Sequence, residues 1–262
     1  MRIAIAGVGL LGPGLADWES GQSMLRDPAL WQLTSTLVSA PQRLPATERR
    51  RAGNLVKASI LVADQALAAG GGDASTLPTV FSSSTGDPLN CHLLCEALAT
   101  PERMVSPTRF TNSVHNAPAG YWHIATACRA ASTSLAAHDA SFAVGLVEAA
   151  VQCCSTNAPV LLVACDLPYP EPLNALRPVT DVFAVAFLIT PAMPAQGRGL
   201  QIELVPASQP SVCTHPGLEL IRSTIPAARA LPLLQALASL QAGRVVIPNL
   251  PGNSLVIGVD AA

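Results

Sequence analysis

Charge is scarce in this chain. Asp, Glu, Lys and Arg make up 12% of the 262 residues, and the formal net charge is −2. With no basic excess there is no electrostatic footprint for nucleic acid or for an anionic membrane surface. Aromatic residues are also few, at 4%, yet half of the chain is hydrophobic, so it can bury a large core and is not disordered. No run of about 18 apolar residues is free of Gly, Pro or polar interruptions, which excludes a membrane-spanning helix. Gly12-Pro13-Gly14 breaks the apolar segment Met1–Ala16, so that segment is expected not to be a cleaved leader. The seven cysteines are an odd set without a disulfide framework: Cys91, Cys95, Cys128, Cys153, Cys154, Cys165 and Cys213. They read as reduced, buried small hydrophobes of a cytoplasmic protein. Cys91 and Cys95 flank His92 at helical spacing, but no further ligands follow at a related spacing, so core positions are expected and no metal.

Strand-like and helix-like segments alternate through residue 165, which gives an α/β class with a mixed sheet. Strands are expected at Arg2–Ala6, Leu77–Phe81, Ser132–Ala136 and Val160–Ala164, the last an all-apolar run buried on both faces. Helices are expected at Ala46–Ala69, Pro88–Leu98, Ala119–Ala127 and Asp139–Val151. Asp139 would cap the last of these, which is worth about 0.5–2 kcal/mol. Val182–Thr190 and Leu200–Val205 look like paired strands. A helix at Ala227–Leu240 and closing strands at Arg244–Ile247 and Ser254–Val259 complete the reading. A change of character at Pro191–Arg198 divides a domain over 1–190 from a short strand–helix–strand extension over 191–262, packed on the same domain.

Gly7-Val-Gly9-Leu-Leu-Gly12 follows a strand and matches the dinucleotide fingerprint literally. Pro13 and Gly14 stand where that fingerprint needs a helix, so the motif is read as a structural Gly-rich turn and no cofactor is expected.

The stretch from Asn116 to Ala164 resembles the N-terminal half of β-ketoacyl synthases of the thiolase fold. Asn116 and Gly120 keep the spacing of the synthase Asn helix. Arg129-Ala-Ala-Ser132-Thr-Ser134-Leu135 fits its turn and strand, Asp139–Val151 its long helix, and Val160-Leu-Leu-Val-Ala164 its buried strand, all without a gap. Ile3-Ala-Ile-Ala-Gly-Val-Gly-Leu, Ser106-Pro107 and Phe110 fit the flanks. More closely, Asn112-Ser-Val-His-Asn-Ala-Pro-Ala-Gly-Tyr-Trp122 and Asp139-Ala-Ser-Phe142 are similar to the short synthase-like proteins that include chain-length-factor subunits of aryl polyene biosynthesis. The resemblance implies a thiolase-like layered α-β-α fold, truncated to mainly the N-terminal half of a ketosynthase.

Register decides what chemistry the resemblance implies. The gapless register places Asp139 at the nucleophile position. A carboxylate is a poor acyl carrier, because it would form an anhydride rather than a thioester. The alternative is Thr126-Ala127-Cys128, which spells the synthase nucleophile motif but needs a large deletion after Asn116. In that reading the chain is a catalytic β-ketoacyl synthase or acyltransferase with Cys128 as thiol nucleophile and His115 as its partner. The paired histidine signatures of condensing enzymes do not occur among His92, His115, His123, His138 and His215. The favoured reading is therefore a non-catalytic, chain-length-factor-like subunit without cofactor or metal. Its partners would be a full-length ketosynthase, as a heterodimer, and an acyl carrier protein reached through the complex. The strand Ser132–Ala137 would lie at the subunit interface. Arg109, Phe110, Ser113 and Val114, with Asn116, Ser132 and Ser134, would line the acyl tunnel or the interface.

Overall fold

A computed structural model describes residues 1–191, 197–239 and 241–261. Of the expected linker Pro191–Arg198, residues 192–196 lie outside the described residues and Arg198 opens β6; Leu240, at the end of the last expected helix, also lies outside them. The elements run β1 (Arg2–Leu11), α1 (Trp18–Arg26), α2 (Ala46–Arg51), α3 (Asn54–Gly70), β2 (Thr79–Ser82), α4 (Pro88–Ala99), α5 (Pro107–Thr111), α6 (Ala117–Thr126), β3 (Ser132–Leu135), α7 (Ser141–Thr156), β4 (Val160–Asp166), α8 (Leu173–Leu176), β5 (Phe183–Thr190), β6 (Arg198–Pro206), α9 (Pro216–Thr224), α10 (Leu231–Ala238), β7 (Gly243–Pro248) and β8 (Asn253–Val259).

The strands form one eight-stranded sheet in the order β3-β2-β4-β5-β1-β6-β8-β7. β2 is parallel to both β3 and β4, and the other pairings are antiparallel, so the sheet is mixed. Helices cover both faces, giving the layered α-β-α arrangement. On β4, Val160, Leu162 and Ala164 join a core roofed by α7, α9 and α10, while Leu161, Val163 and Cys165 join the opposite core under α3 and α6. A strand buried this way is apolar at every position up to its last residue, Asp166, which is why it is legible as an uninterrupted run. Among the described residues no helix is long and apolar enough to cross a membrane.

Several expectations need correction. β5 and β6 do not pair with each other. β1 lies between them, matched to β5 from Ala4↔Thr190 to Leu11↔Ala184 and to β6 from Arg2↔Gln201 to Ile5↔Arg198. The glycine motif is not a turn, because β1 continues through Leu11. A bulge between Ile5 and Gly7 shifts the alternation, so Ile3, Ile5, Val8 and Leu10 all face one core. Gly7 and Gly9 then face α3. A Cβ at Gly7 would lie 2.0 Å from the Ala66 carbonyl oxygen, and one at Gly9 1.9 Å from that of Val62. These glycines let helix and strand touch, and a pyrophosphate has no role there. The long helix expected from Ala46 breaks at Ala52–Gly53, where the chain is extended and a Cβ on Gly53 would lie 2.3 Å from a carboxylate oxygen of Asp87. Of the cysteines, Cys91, Cys95 and Cys154 are exposed rather than core, while Cys128, Cys153, Cys165 and Cys213 are buried, and all seven are free. α4 is apolar nearly all round and buries only Pro88, Asn90 and Leu94, so its sequence does not mark the covered face.

Candidate functional site

The parallel strands β2, β3 and β4 end on the same side of the sheet, the side where open α/β sheets place their ligands. Two carboxylates organise this end. Asp166, the last residue of β4, is 1% exposed. One of its oxygens accepts hydrogen bonds from the backbone N–H groups of Ser84 (2.7 Å) and Thr85 (2.9 Å) and from the hydroxyls of Ser83 and Thr85 (both 3.2 Å). The other accepts from Ala227 N–H at 2.8 Å. Burial pushes its pKa up, against the hydrogen bonds from Thr85, Ser84, Ser83 and Ala227. Asp166 thereby ties the loop after β2 to the segment that leads into α10.

Asp139 lies in the turn between β3 and α7. It does not cap α7. Ala140 holds the cap position, with no side-chain cap bond. His138 adopts a left-handed φ of 53°, and the Ser141 hydroxyl donates to its carbonyl while accepting from Ala137 N–H. The Asp139 carboxylate is thus turned toward two distant guanidinium groups. Its Oδ1 accepts from Arg177 Nη2 at 2.8 Å and its Oδ2 from Arg229 Nη2 at 2.9 Å. Two charged donors outcompete the single backbone N–H that a cap would satisfy. His138 Nδ1 lies 3.5 Å from Oδ1. Arg177 also donates to the Tyr169 hydroxyl and the Ser84 hydroxyl, both at 2.9 Å, and its guanidinium stands 5.7 Å from the Tyr169 ring centre. Partial burial works against the Asp139 charge. The hydrogen bond from Arg177 and the charges of Arg229, His138 and Arg177 outweigh it, so the pKa sits below the usual carboxylate value.

Both oxygens of Asp139 in this turn are therefore occupied by cations, and the side chain accepts hydrogen bonds but offers no thiol. The residues that do this, Arg177 and Arg229, carry no motif of their own, and neither does the Asp166 network. The one sequence signal is an acidic residue closing an otherwise apolar strand, at Asp166.

Cys128 and His115 do not meet. Cys128 is 4% exposed, with its thiol directed at the carbonyl of Leu77 (3.5 Å), ahead of β2. His115 Nε2 lies 3.0 Å from the carbonyl of Ser83, past the other end of β2. α6 lies between them in sequence and is about 15 Å long at 1.5 Å per residue. The two residues accordingly sit at opposite ends of the β2–α6 unit and form no nucleophile–base pair. Among the described residues no group of three or more His, Cys, Asp and Glu side chains is placed to hold a metal ion.

The other expected residues fall around three clefts. Asn90 Nδ2 donates to the Arg109 carbonyl (2.9 Å) and Asn112 Nδ2 to that of Arg51 (2.8 Å), which pins α5 to the body. Phe110, 69% exposed, and Ser113 border an apolar groove of about 620 Å³ together with Cys91, Cys95 and Leu98. Arg109 faces a second cleft of about 780 Å³. Asn116, Ser132 and Ser134 border a third of about 410 Å³, with Gly120 and His123. Val114 is exposed and borders none of these three. β3 is an edge strand of the sheet, with Ser132 exposed and Thr133–Leu135 half-buried.

The family model for the β-ketoacyl synthase N-terminal domain matches residues 18–239. No curated protein matches the chain. Among solved structures, it is similar to a ketosynthase (ApeO) in complex with its chain length factor (ApeC) from Xenorhabdus doucetiae. That match has 20% identity and a TM-score of 0.74, and covers 98% of this chain and 99% of the other. The ishigamide ketosynthase/chain length factor matches at 13% identity and TM-score 0.70, over 100% of this chain and 99% of the other. The type II polyketide synthase complex AntDE:AntF, an acyl-carrier protein with its ketosynthase bound to the hexaketide, matches at 13% identity and TM-score 0.76, with the same coverage. Identities this low carry the fold alone, which is the thiolase-like fold of the ketosynthases. The family model spans most of the sequence, and on that ground the chain belongs to the β-ketoacyl synthase N-terminal-domain family.

Proposed function

We propose that this protein is a non-catalytic, chain-length-factor-like subunit. It pairs with a full-length β-ketoacyl synthase and shapes the acyl tunnel of a polyketide or fatty-acid-like pathway, aryl polyene assembly being the specific case, in the cytoplasm. The observation that carries this reading is the turn between β3 and α7. Asp139 occupies the position the resemblance assigns to the nucleophile, and Arg177 and Arg229 hold both of its oxygens. A pinned carboxylate there cannot hold an acyl group as a thioester, so condensation would belong to the partner. The edge position of β3 supports the pairing, since an unpaired sheet edge offers backbone hydrogen bonds to a second subunit. Phe110 and Ser113, on an apolar groove, are the tunnel-lining candidates, and the acyl carrier protein docks mainly on the active partner.

The test is co-expression with the neighbouring full-length ketosynthase, co-purification, and an elongation assay with malonyl carrier protein. Wild type, Cys128→Ala and Asp139→Ala are compared. The reading expects a stable heterodimer, normal elongation by Cys128→Ala, and no acyl group on this chain. It is overturned if Cys128→Ala abolishes acylation of this chain itself.

A further inference from the structure

Cys91 and Cys95 read as core residues in the sequence and are exposed in the structure. That placement is unusual, because unpaired cysteine is among the residue types most often fully buried. The two are four residues apart on α4, so both thiols lie on one face of the helix. They border the same apolar groove of about 620 Å³, whose walls include Leu94, Leu98 and Phe110. Among the described residues that border it, none is charged. His92 Nε2 meets Glu96 Oε1 at 3.2 Å on the next stripe of α4, away from the groove. Ser113, the other polar side chain on the groove, donates its hydroxyl proton to the Phe110 carbonyl at 2.8 Å.

Spacing decides what the thiol pair can do. Positions i and i+4 of a helix set their Cβ atoms about 5–6 Å apart. A disulfide needs about 3.5–4.5 Å, so the two thiols stay reduced unless α4 unwinds. An ion between them fits better. Metal–sulfur bonds of about 2.3 Å, as in zinc thiolates, put two sulfurs up to about 4.6 Å apart, a span that rotation of the side chains reaches. Zinc asks for four ligands, and the groove offers two. Thiolates select soft cations, and of these Cu(I) is satisfied by two sulfurs with apolar walls around them.

We propose that Cys91 and Cys95 form a two-coordinate site for a soft monovalent cation, Cu(I). Each thiol releases its proton to solvent and each sulfur donates an electron pair to the ion, so nothing is oxidised or reduced. The inference does not depend on a synthase partner and is tested on the full chain alone. Under anaerobic conditions the protein would compete with bathocuproine disulfonate for Cu(I). It should withdraw one equivalent. Cys91→Ser and Cys95→Ser should each weaken that binding about a hundredfold, because the second sulfur acts at high effective concentration. Cys154→Ser, which removes an exposed thiol at the end of α7, should leave it intact, and equimolar Zn(II) should not displace the ion. X-ray absorption on the unaltered, loaded chain should count two sulfur ligands, and bound Cu(I) should protect Cys91 and Cys95 together from iodoacetamide while Cys154 still reacts. Failure to withdraw Cu(I), binding untouched by either groove substitution, three or four ligands, or displacement by zinc overturns the proposal. The absorption and protection measurements need no variant, so they decide the matter even if a substitution unfolds the chain. Failure here leaves the subunit reading standing, since that reading is judged by co-purification and elongation.

Discussion

Replacing Asp139 by Asn tests whether the ion-pair cluster holds the turn between β3 and α7 in place. The substitution keeps the shape and removes the charge. In a buried setting each charge-assisted bond contributes about 1.5–3 kcal/mol, and on the surface an ion pair contributes about 0–1. The Asp139 side chain is 43% exposed, Arg177 27% and Arg229 19%. Solvent screening therefore puts the Arg177 bond at about 0.5 kcal/mol and the deeper Arg229 bond at about 1. Leaving the Arg229 charge without a carboxylate adds roughly another 0.5. The sum is about 2 kcal/mol, which for a chain of this size lowers the melting temperature by about 4–8 °C. The effect has a defined pH dependence. The folded pKa of Asp139 is depressed, so its contribution is fully present above the unfolded value, about 3.9, and is lost as pH falls through the folded value. Thermal melts of wild type and Asp139→Asn should differ at pH 7 and converge at the acid end. Equal melting temperatures at pH 7 would show that the carboxylate contributes nothing, and the account of a turn held by its ion pairs would fail with it.

Three further outcomes follow from the same geometry. Gly120 lies mid-helix in α6 with nothing within 4 Å of a built Cβ, so Gly120→Ala should stabilise the isolated chain by about 0.5–1 kcal/mol in urea unfolding while weakening co-purification with a synthase, because it fills the cleft beside edge strand β3. An increase in both would remove that cleft from the interface. Thiol labelling of the native protein should modify Cys91, Cys95 and Cys154 quickly and the other four only on unfolding. Burial raises the thiols of Cys153 to about 11 and of Cys213 to about 12, and pushes Cys165 higher still. Rapid labelling of Cys128 would contradict its placement under Leu77. Asp166→Asn sets an amide N–H₂ against a backbone donor, and should cost about 2 kcal/mol in urea unfolding, with an unchanged midpoint refuting the described network.

What was legible in the sequence is what local pattern controls. β4 could be read because burial on both faces leaves only one kind of residue, and α7 because its apolar positions run on from the turn. What failed was set by residues far away in sequence. Asp139 looked like a cap because Ser, Asp and Asn at helix starts usually are. The competing donors, Arg177 and Arg229, come from a loop and a 3₁₀ turn much further along the chain. Gly7 and Gly9 read as a structural turn because their real neighbours, the carbonyls of Ala66 and Val62, are on another element. β5 and β6 looked like a hairpin because neighbours in sequence usually pair, and nothing local says that β1 will slot between them. Asp139 drew attention through its register within a resemblance, but nothing in the sequence pointed to the two arginines that pair with it.

The central place of β1 also sets the timing of folding. During synthesis β1 finds its partners only at Thr190 and Gln201, far downstream of it. At 5–20 residues per second, β1 waits roughly 10–40 s with both hydrogen-bonding edges open and a bulge of glycines in its middle. Until then the parallel trio β2, β3 and β4 can assemble around α7, but the sheet has no centre to join its halves. Slowing translation between β1 and β5 should therefore raise aggregation of the nascent chain more than slowing it between β6 and β8.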